Sequence, residues 1–565
     1  MKNAFYMARN TVIINYTKEY CNNSSQLIDT EGFEIFINGF LEDLQGSNAE
    51  LYNWLTRVLD KNDQHQDIKR LLKTLMVLDI DDIQHEAMNH RAYLLEIVEL
   101  AYTFWREKAR FSIIFTKNEA GLQLANFIDA DTAFNQMCIG FYRSIQEKLQ
   151  GSNNKVYRQL QAGTNASLIL RNYQWNVFKG YEALESIPFI NTMMLRTPLI
   201  FHPKSNKRTG TFVKKDAHLI DELDQDTSDW MCFPCKVGSL LTFIYFQQDF
   251  LPSVVGLANL FELASDEECQ NNQPDCIMLF GNKDGKDETV YEFDEANKVW
   301  VGKISYQDVI EYFGYLKKMA LTLFNLAMMQ RGCLPIHGAM LNVYLNDGSK
   351  KGIVLMGDSG AGKSETIEAM SKISKGHIIR QEIIFDDMGV MYYDGNNVIA
   401  SGSEIGAFVR LDDLEKGSAY RDMDRSIFFN PETHNARVVL PCTPYNTVVE
   451  KHKVDCFMYA NNYTDKRGLR MISNMEEAKP IFKEGKRFAL GTTQEKGLST
   501  TYFANPFGPM QSQDVCNPLI DQVFDALVEN KVIVGEIYTC LGLEGKGDNG
   551  IDDAAKELLA LIKTI

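Results

Sequence analysis

The stretch Ile353-Val354-Leu355-Met356-Gly357-Asp358-Ser359-Gly360-Ala361-Gly362-Lys363-Ser364 decides how the rest of the chain is read. An apolar, strand-like run is followed at once by GxxxxGK[ST], the order a phosphate loop requires. Gly357, Gly360 and Gly362 let the backbone wrap closely around phosphate oxygens. The amide N–H groups of the whole loop, including Asp358, Ser359 and Ala361, and the N-terminus of the next helix would then face the negative charge. Lys363 supplies a mobile cation for a transferring phosphoryl group, and the Ser364 hydroxyl is placed to bind magnesium. Downstream, Ile383-Ile384-Phe385-Asp386-Asp387 reads as a strand ending in two carboxylates, as expected for a pair that holds metal ions beside phosphates.

The whole chain must accommodate that site. With 565 residues, 45% of them hydrophobic and 24% charged, the composition is globular and sufficient for about two to four domains. The formal charge of −17 repels nucleic acid and anionic membranes, so any anionic ligand needs a locally positive pocket. No apolar run approaches the roughly 20 residues that span a bilayer, and Met1–Asn10 lacks an apolar signal segment. The expectation is a soluble cytoplasmic protein. Eleven scattered cysteines fit a reducing compartment. The CxxC at Cys232-Phe233-Pro234-Cys235 has no second CxxC or histidine pair behind it, which favours a structural over a redox or zinc role.

Working outward, an α+β architecture emerges. Residues 1–190 read as a helical N-terminal region, with Leu94, Ile97, Val98, Ala101 and Trp105 at helical spacing. Residues 191–310 read as a mixed lobe, in which Thr197–Phe201 and Leu240–Phe246 are strands while Lys204–Gly210 and Ser265–Asp275 are polar loops. Residues 311–565 hold a long helix over Tyr312–Gln330 closed by Arg331-Gly332, then the phosphate loop, alternating strands and an amphipathic helix at Asp553–Lys563.

Lys317-Lys318 on that helix, His337 in an apolar run, the phosphate loop, Asp386-Asp387 and Asn435-Ala436-Arg437 follow one another in order. This succession resembles the catalytic half of the phosphoenolpyruvate carboxykinases, over roughly Tyr312–Met510. The resemblance implies a mixed-sheet lobe carrying the phosphate loop. It also implies that Lys318, His337 and Asp387 ligate a transition metal, manganese, with Lys317 beside them among the catalytic groups. Lysine ligates only as the neutral amine, so its pKa must fall, which a dication and the charge of Lys317 would favour. Asp386 with Ser364 resembles the site of a second, magnesium ion, and Arg437 the guanidinium bridging phosphoryl group and enolate. Glu495–Thr500 and the aromatics from Tyr502 to Phe507 are similar to the nucleotide-contacting region of the ATP-using branch, with Lys496 where that branch has arginine. Arg208, in the basic loop Lys204–Gly210, is the candidate for holding the substrate carboxylate.

The implied reaction interconverts oxaloacetate and phosphoenolpyruvate plus carbon dioxide, with phosphoryl transfer from ATP, GTP or pyrophosphate. A lid would be needed to exclude water, for which Asn461–Arg470 is a candidate. The loop itself, with Glu365, reads more like the GDSGxGKSE of HPr serine kinase/phosphorylases. A serine or small-hydroxyl kinase is therefore the alternative, and a nucleotide switch with a partner-docking N-terminal region a third. Small-molecule substrates are expected, without nucleic acid or membrane; a partner subunit or lobe stays open.

Overall fold

A computed structural model describes residues 5–7, 11–15, 21, 23–60, 63–109, 111–115, 123–151, 155–158, 166–358, 360–373, 378–411, 423–433, 435–490 and 496–564, some of them in backbone only. The architecture is α+β, as the sequence pattern implies. The chain forms two compact units, Met1–Asn154 and Lys155–Ile565.

The first unit is mainly helical. Thr30, Asn48 and Asp63 cap successive helices by accepting the backbone N–H groups of Phe33, Leu51 and Gln66, which satisfies donors that the first turn leaves free. The helices Glu31–Ser47, Ala49–Val58, Gln64–Val77, Arg91–Lys108 and Gln123–Gln150 bury an apolar core with Phe40, Leu44, Leu51, Leu75 and Ile145 at its centre. A small sheet of Phe5–Met7, Thr11–Asn15 and Phe111–Phe115, which helical periodicity did not announce, completes the unit.

The second unit begins at Lys155, so the stretch from there to residue 190, grouped with the helical region on sequence, falls in it and opens with the strand Val156–Arg158. Val156–Arg158 and Ala166–Arg171 both pair with Phe189–Leu195, where burial alternates as a half-covered strand requires. Leu240–Gln247 is buried on both faces and pairs parallel with Cys276–Asn282, in keeping with its unbroken apolar run. Ser265–Asp275, expected as a loop, contains the short helix Asp266–Asn271. The sequence Ser265-x-x-Glu268 forms a reciprocal capping box, a local signal stronger than the polarity of the stretch. Cys232 and Cys235 lie on one strand, Trp230–Val237. Three positions apart, they face opposite sides of the sheet, and burial pushes both thiols well up, so the CxxC acts as neutral core.

The long helix Phe313–Gln330 is buried all round except at Lys318 and Gln330. It packs against Cys276–Asn282 and Val299–Ser305 on one side and against Leu334–Leu345 and Met388–Tyr393 on the other. Gly302 permits the close approach, because a Cβ there would meet the Met319 sulfur at 2.9 Å. One core thus runs through residues 191–310 and 311–565. The helix ends at Gly332, whose φ of +79° lets the Gly332 and Cys333 N–H groups return to Met329 and Met328 carbonyls.

Candidate active site

Strand register brings the motifs together. Leu334–Leu345, carrying His337, runs antiparallel to Lys350–Met356, which enters the phosphate loop, and to Ile378–Phe385 and Met388–Tyr393, which flank Asp386 and Asp387. Two further bonds tie the three motifs: Gly357 N–H donates to the His337 carbonyl and Gly338 N–H to the Asp387 carbonyl, both at 3.0 Å. Lys350–Met356 also pairs parallel with Cys456–Asn461, so the loop leaves the carboxyl end of a strand at mid-sheet.

Within the loop, Gly360 and Gly362 have φ of +76° and +96°, and a Cβ on Gly362 would strike Thr539. Thr539 donates to the Ala361 carbonyl at 2.7 Å and Asn462 to that of Gly360 at 2.9 Å, which fixes the loop from outside. The Lys363 ammonium is buried and donates to the Asp358 carbonyl at 3.1 Å. Ser364 donates to an Asp386 oxygen at 2.8 Å, the pairing expected for the magnesium site. Burial raises the Asp386 pKa, against the pull of Ser364 and Lys363. Ser359 lies outside the described residues. Asp358, whose backbone amide the sequence groups with the phosphate contacts, directs its carboxylate to Arg487 Nε at 3.0 Å and the Thr501 hydroxyl at 3.3 Å.

Lys318, His337 and Asp387 converge. Lys318 Nζ stands 2.6 Å from one Asp387 oxygen, and His337 Nε2 stands 3.1 Å from the other. His337 Nδ1 is 2.7 Å from the Ala504 carbonyl, which can only accept, so the ring proton is assigned to Nδ1. The Nε2 lone pair then faces a carboxylate oxygen, two acceptors with no proton between them. Burial lowers the His337 pKa, with Lys363 adding to the effect against Asp387, which disfavours filling that gap with a proton. A cation fits there.

The pKa values of Lys317 and Lys318 move in opposite directions. Burial works against the charge on both. For Lys317, Asp387 at 2.7 Å and Glu404 at 2.8 Å outweigh it and raise the pKa. For Lys318, burial prevails with help from the charge of Lys317, and the pKa falls. The carboxylate of Asp387 is held well below its usual range, since the charge of Lys317 first, and then that of Lys318, overcomes its burial. Glu404, which no motif singled out, is pushed up to about 7 by burial. An amine whose pKa is lowered, an imidazole and an ionised carboxylate together form a mixed nitrogen and oxygen donor set of the kind that divalent transition metals take.

The Phe507 ring gathers the site's edge. Lys318 Nζ lies 4.6 Å and the Arg208 guanidinium 5.4 Å from its centroid, with the His337 ring at 6.2 Å. Arg208, half-buried, also covers Phe212, so the sequence candidate for carboxylate binding stands next to the Lys318–His337 pair. Arg437 lies 5.5 Å from the Phe408 ring, with Lys317 at 5.8 Å from it. It donates to Asn435, which in turn donates to the Asn206 carbonyl in the Arg208 loop. Arg410 is the register partner of Arg437 across two strands, a second guanidinium without a sequence motif. These cations provide the positive pocket that a chain of net charge −17 needs for an anion.

Lys496 begins the strand Lys496–Thr500, but its side chain lies outside the described residues, as does Glu495. The candidate lid, Asn461–Arg470, is tied down. Gly468–Met471 pairs with Ile533–Tyr538, Arg467 binds Asp553 at 3.1 Å, and Arg470 binds Glu536 at 3.2 Å. Elsewhere Glu222, Asp284 and Glu288 gather as three carboxylates, yet the buried Lys303 ammonium already sits among them. Among the described residues no helix is long and apolar enough to cross a membrane.

No family model matches the chain, and no curated protein matches it.

Proposed function

We propose that the second unit catalyses carboxykinase-type chemistry: interconversion of oxaloacetate and phosphoenolpyruvate plus carbon dioxide, with phosphoryl transfer from a nucleotide or pyrophosphate. The observation that carries this reading is the meeting of Lys318 Nζ, His337 Nε2 and Asp387 beside a phosphate loop whose Ser364 is joined to Asp386. Phosphoryl transfer alone needs the loop and one acidic partner. A second, nitrogen-rich donor set next to them suits a substrate that must also be activated at a carbonyl.

When bound, manganese at Lys318, His337 and Asp387 would supply Lewis acidity for the decarboxylation, and magnesium at Ser364 and Asp386 would supply charge for the phosphates. The chain's own residues do the rest. Arg208, backed by Phe507, offers a guanidinium for a substrate carboxylate. Arg437 offers a planar fork suited to a phosphoryl group and an enolate oxygen together. Lys363 neutralises charge on the transferring group, and the loop amides hold its partner phosphates. Lys317 stays protonated through Asp387 and Glu404, and the lowered pKa of Lys318 favours the amine form that ligation would require.

The alternative, an HPr kinase-like enzyme that phosphorylates a hydroxyl, is favoured by one feature, the Asp358 and Glu365 pattern of the loop. In that reading Asp387 or its neighbour Asp386 is the general base for the hydroxyl.

The test is oxaloacetate formation from phosphoenolpyruvate and bicarbonate with manganese, comparing ADP, GDP and inorganic phosphate, for wild type, His337→Ala and Lys363→Ala. Turnover with one acceptor, lost in both variants, is the expected result. Nucleotide binding or hydrolysis with no turnover on any acceptor would transfer the assignment to the kinase.

A further inference from the structure

An apolar space with no chemistry assigned to it lies in the first unit. A cavity of about 190 Å³ opens between the helices Glu31–Ser47, Arg91–Lys108 and Gln123–Gln150. Its wall is apolar and rich in aromatic rings, among them Phe33, Phe36, Phe40, Trp105 and Phe141. Natural cores pack as tightly as organic crystals and hold few voids larger than a water molecule, because wall atoms facing a void lose their dispersion contacts. A dry engineered cavity of about 150 Å³ already accommodates benzene. This one is larger.

The wall tells what would fill it. No charged side chain lines it among the described residues. Two of its hydroxyls are engaged: Tyr142 donates to Glu99 at 2.6 Å, and Thr30 donates to the Leu27 carbonyl at 2.7 Å. Burial, with Cys21 adding to it, pushes the Cys138 thiol up to about 12, so it stays uncharged. Water would find too few partners to stay, and a carboxylate or ammonium no counter-charge. The rings meet edge to face, with Phe36 and Trp105 centroids 5.9 Å apart at 81° and Phe33 and Phe141 6.0 Å apart at 76°. Such a wall offers both faces and edges to a further ring. On one side Trp105, Cys138 and Phe141 are only half-buried, which gives a way in.

We propose that this cavity is a binding site for an uncharged aromatic molecule, one ring carrying a short apolar substituent. The site is independent of the carboxykinase reading, since none of its residues belongs to that chemistry.

The experiment uses the full chain with toluene, iodobenzene and, as a charged control, hexanoate. Toluene should raise the melting temperature in a saturable way by a few degrees, while hexanoate leaves it unchanged. Iodobenzene should quench tryptophan emission, and Trp105→Phe should remove that quenching while keeping the toluene shift. Ala101→Phe, which puts a ring into the space, should fold and lose the shift; Cys138→Leu fills it more gently and should weaken the shift. The proposal is overturned if toluene gives no saturable shift, if both filling variants keep the full shift, or if neither variant folds, since a wall without room would reject both. An equal response to hexanoate would overturn the chemical class.

Discussion

His337 donates from Nδ1 to the carbonyl oxygen of Ala504 at 2.7 Å, and Ala504 reaches that position with a φ of +47°, next to Phe503 at +50°. Two consecutive non-glycine residues in left-handed conformation are costly, and here the result is one ring orientation at the candidate metal site. Ala504→Gly should leave stability equal or higher and keep metal affinity. Ala504→Val should cost about 1–3 kcal/mol and weaken manganese binding roughly ten- to hundredfold. Melting curves and a metal titration check both; unchanged affinity in the valine variant would remove the carbonyl from the site's design.

Glu404 links stability to pH. Its folded pKa of about 7 stands above the usual 4.5, so the folded state binds its proton more tightly than the unfolded chain. Its contribution is therefore fully present below pH 4.5 and is lost as pH rises through about 7. His337, held below its usual value, acts in the opposite direction, which makes the comparison with Glu404→Gln the informative one. Wild type should lose stability relative to Glu404→Gln as pH rises across that window, in chemical denaturation at several pH values. Parallel curves would contradict it.

Arg208→Lys keeps the charge but loses the planar fork that lies on Phe507. Loss of a charged hydrogen-bond pattern costs about 1.5–3 kcal/mol, roughly a ten- to hundredfold rise in KM for the carboxylate substrate. The turnover number should change much less. A fall in kcat at constant KM would place Arg208 in another role.

Arg487 and Asp358 are both buried below a tenth of their surface, 3.0 Å apart. Arg487→Met leaves the Asp358 charge without its guanidinium and should destabilise by about 3–5 kcal/mol, whereas the double variant with Asp358→Asn should recover much of that loss. Equal destabilisation in the single and double variants would show that the pair is not the cause.

Much of this site was legible in the linear sequence because its chemistry is local. A phosphate loop is a contiguous strand, turn and helix start, so GDSGAGKS carries its own geometry, and the same holds for the Asp386-Asp387 strand end and the Lys317-Lys318 helix. The sequence by itself also determined the α+β character, through the change of apolar period from helical to strand-like. It missed the capping box at Ser265, where a short helix hides in a polar stretch, and it extended the helical region past Gln150.

Only the tertiary structure decided that the pKa of Lys317 rises while that of Lys318 falls. That difference rests on Glu404, far along the chain from Lys317 and marked by no motif, and on burial that no spacing rule measures. It also decided that the Asp358 side chain pairs with Arg487, that Arg208 reaches Phe507, and that Ala504 orients His337. Each of these depends on electrostatic and packing contacts between distant segments, whose strength is set by distance and desolvation. A linear pattern records neither quantity.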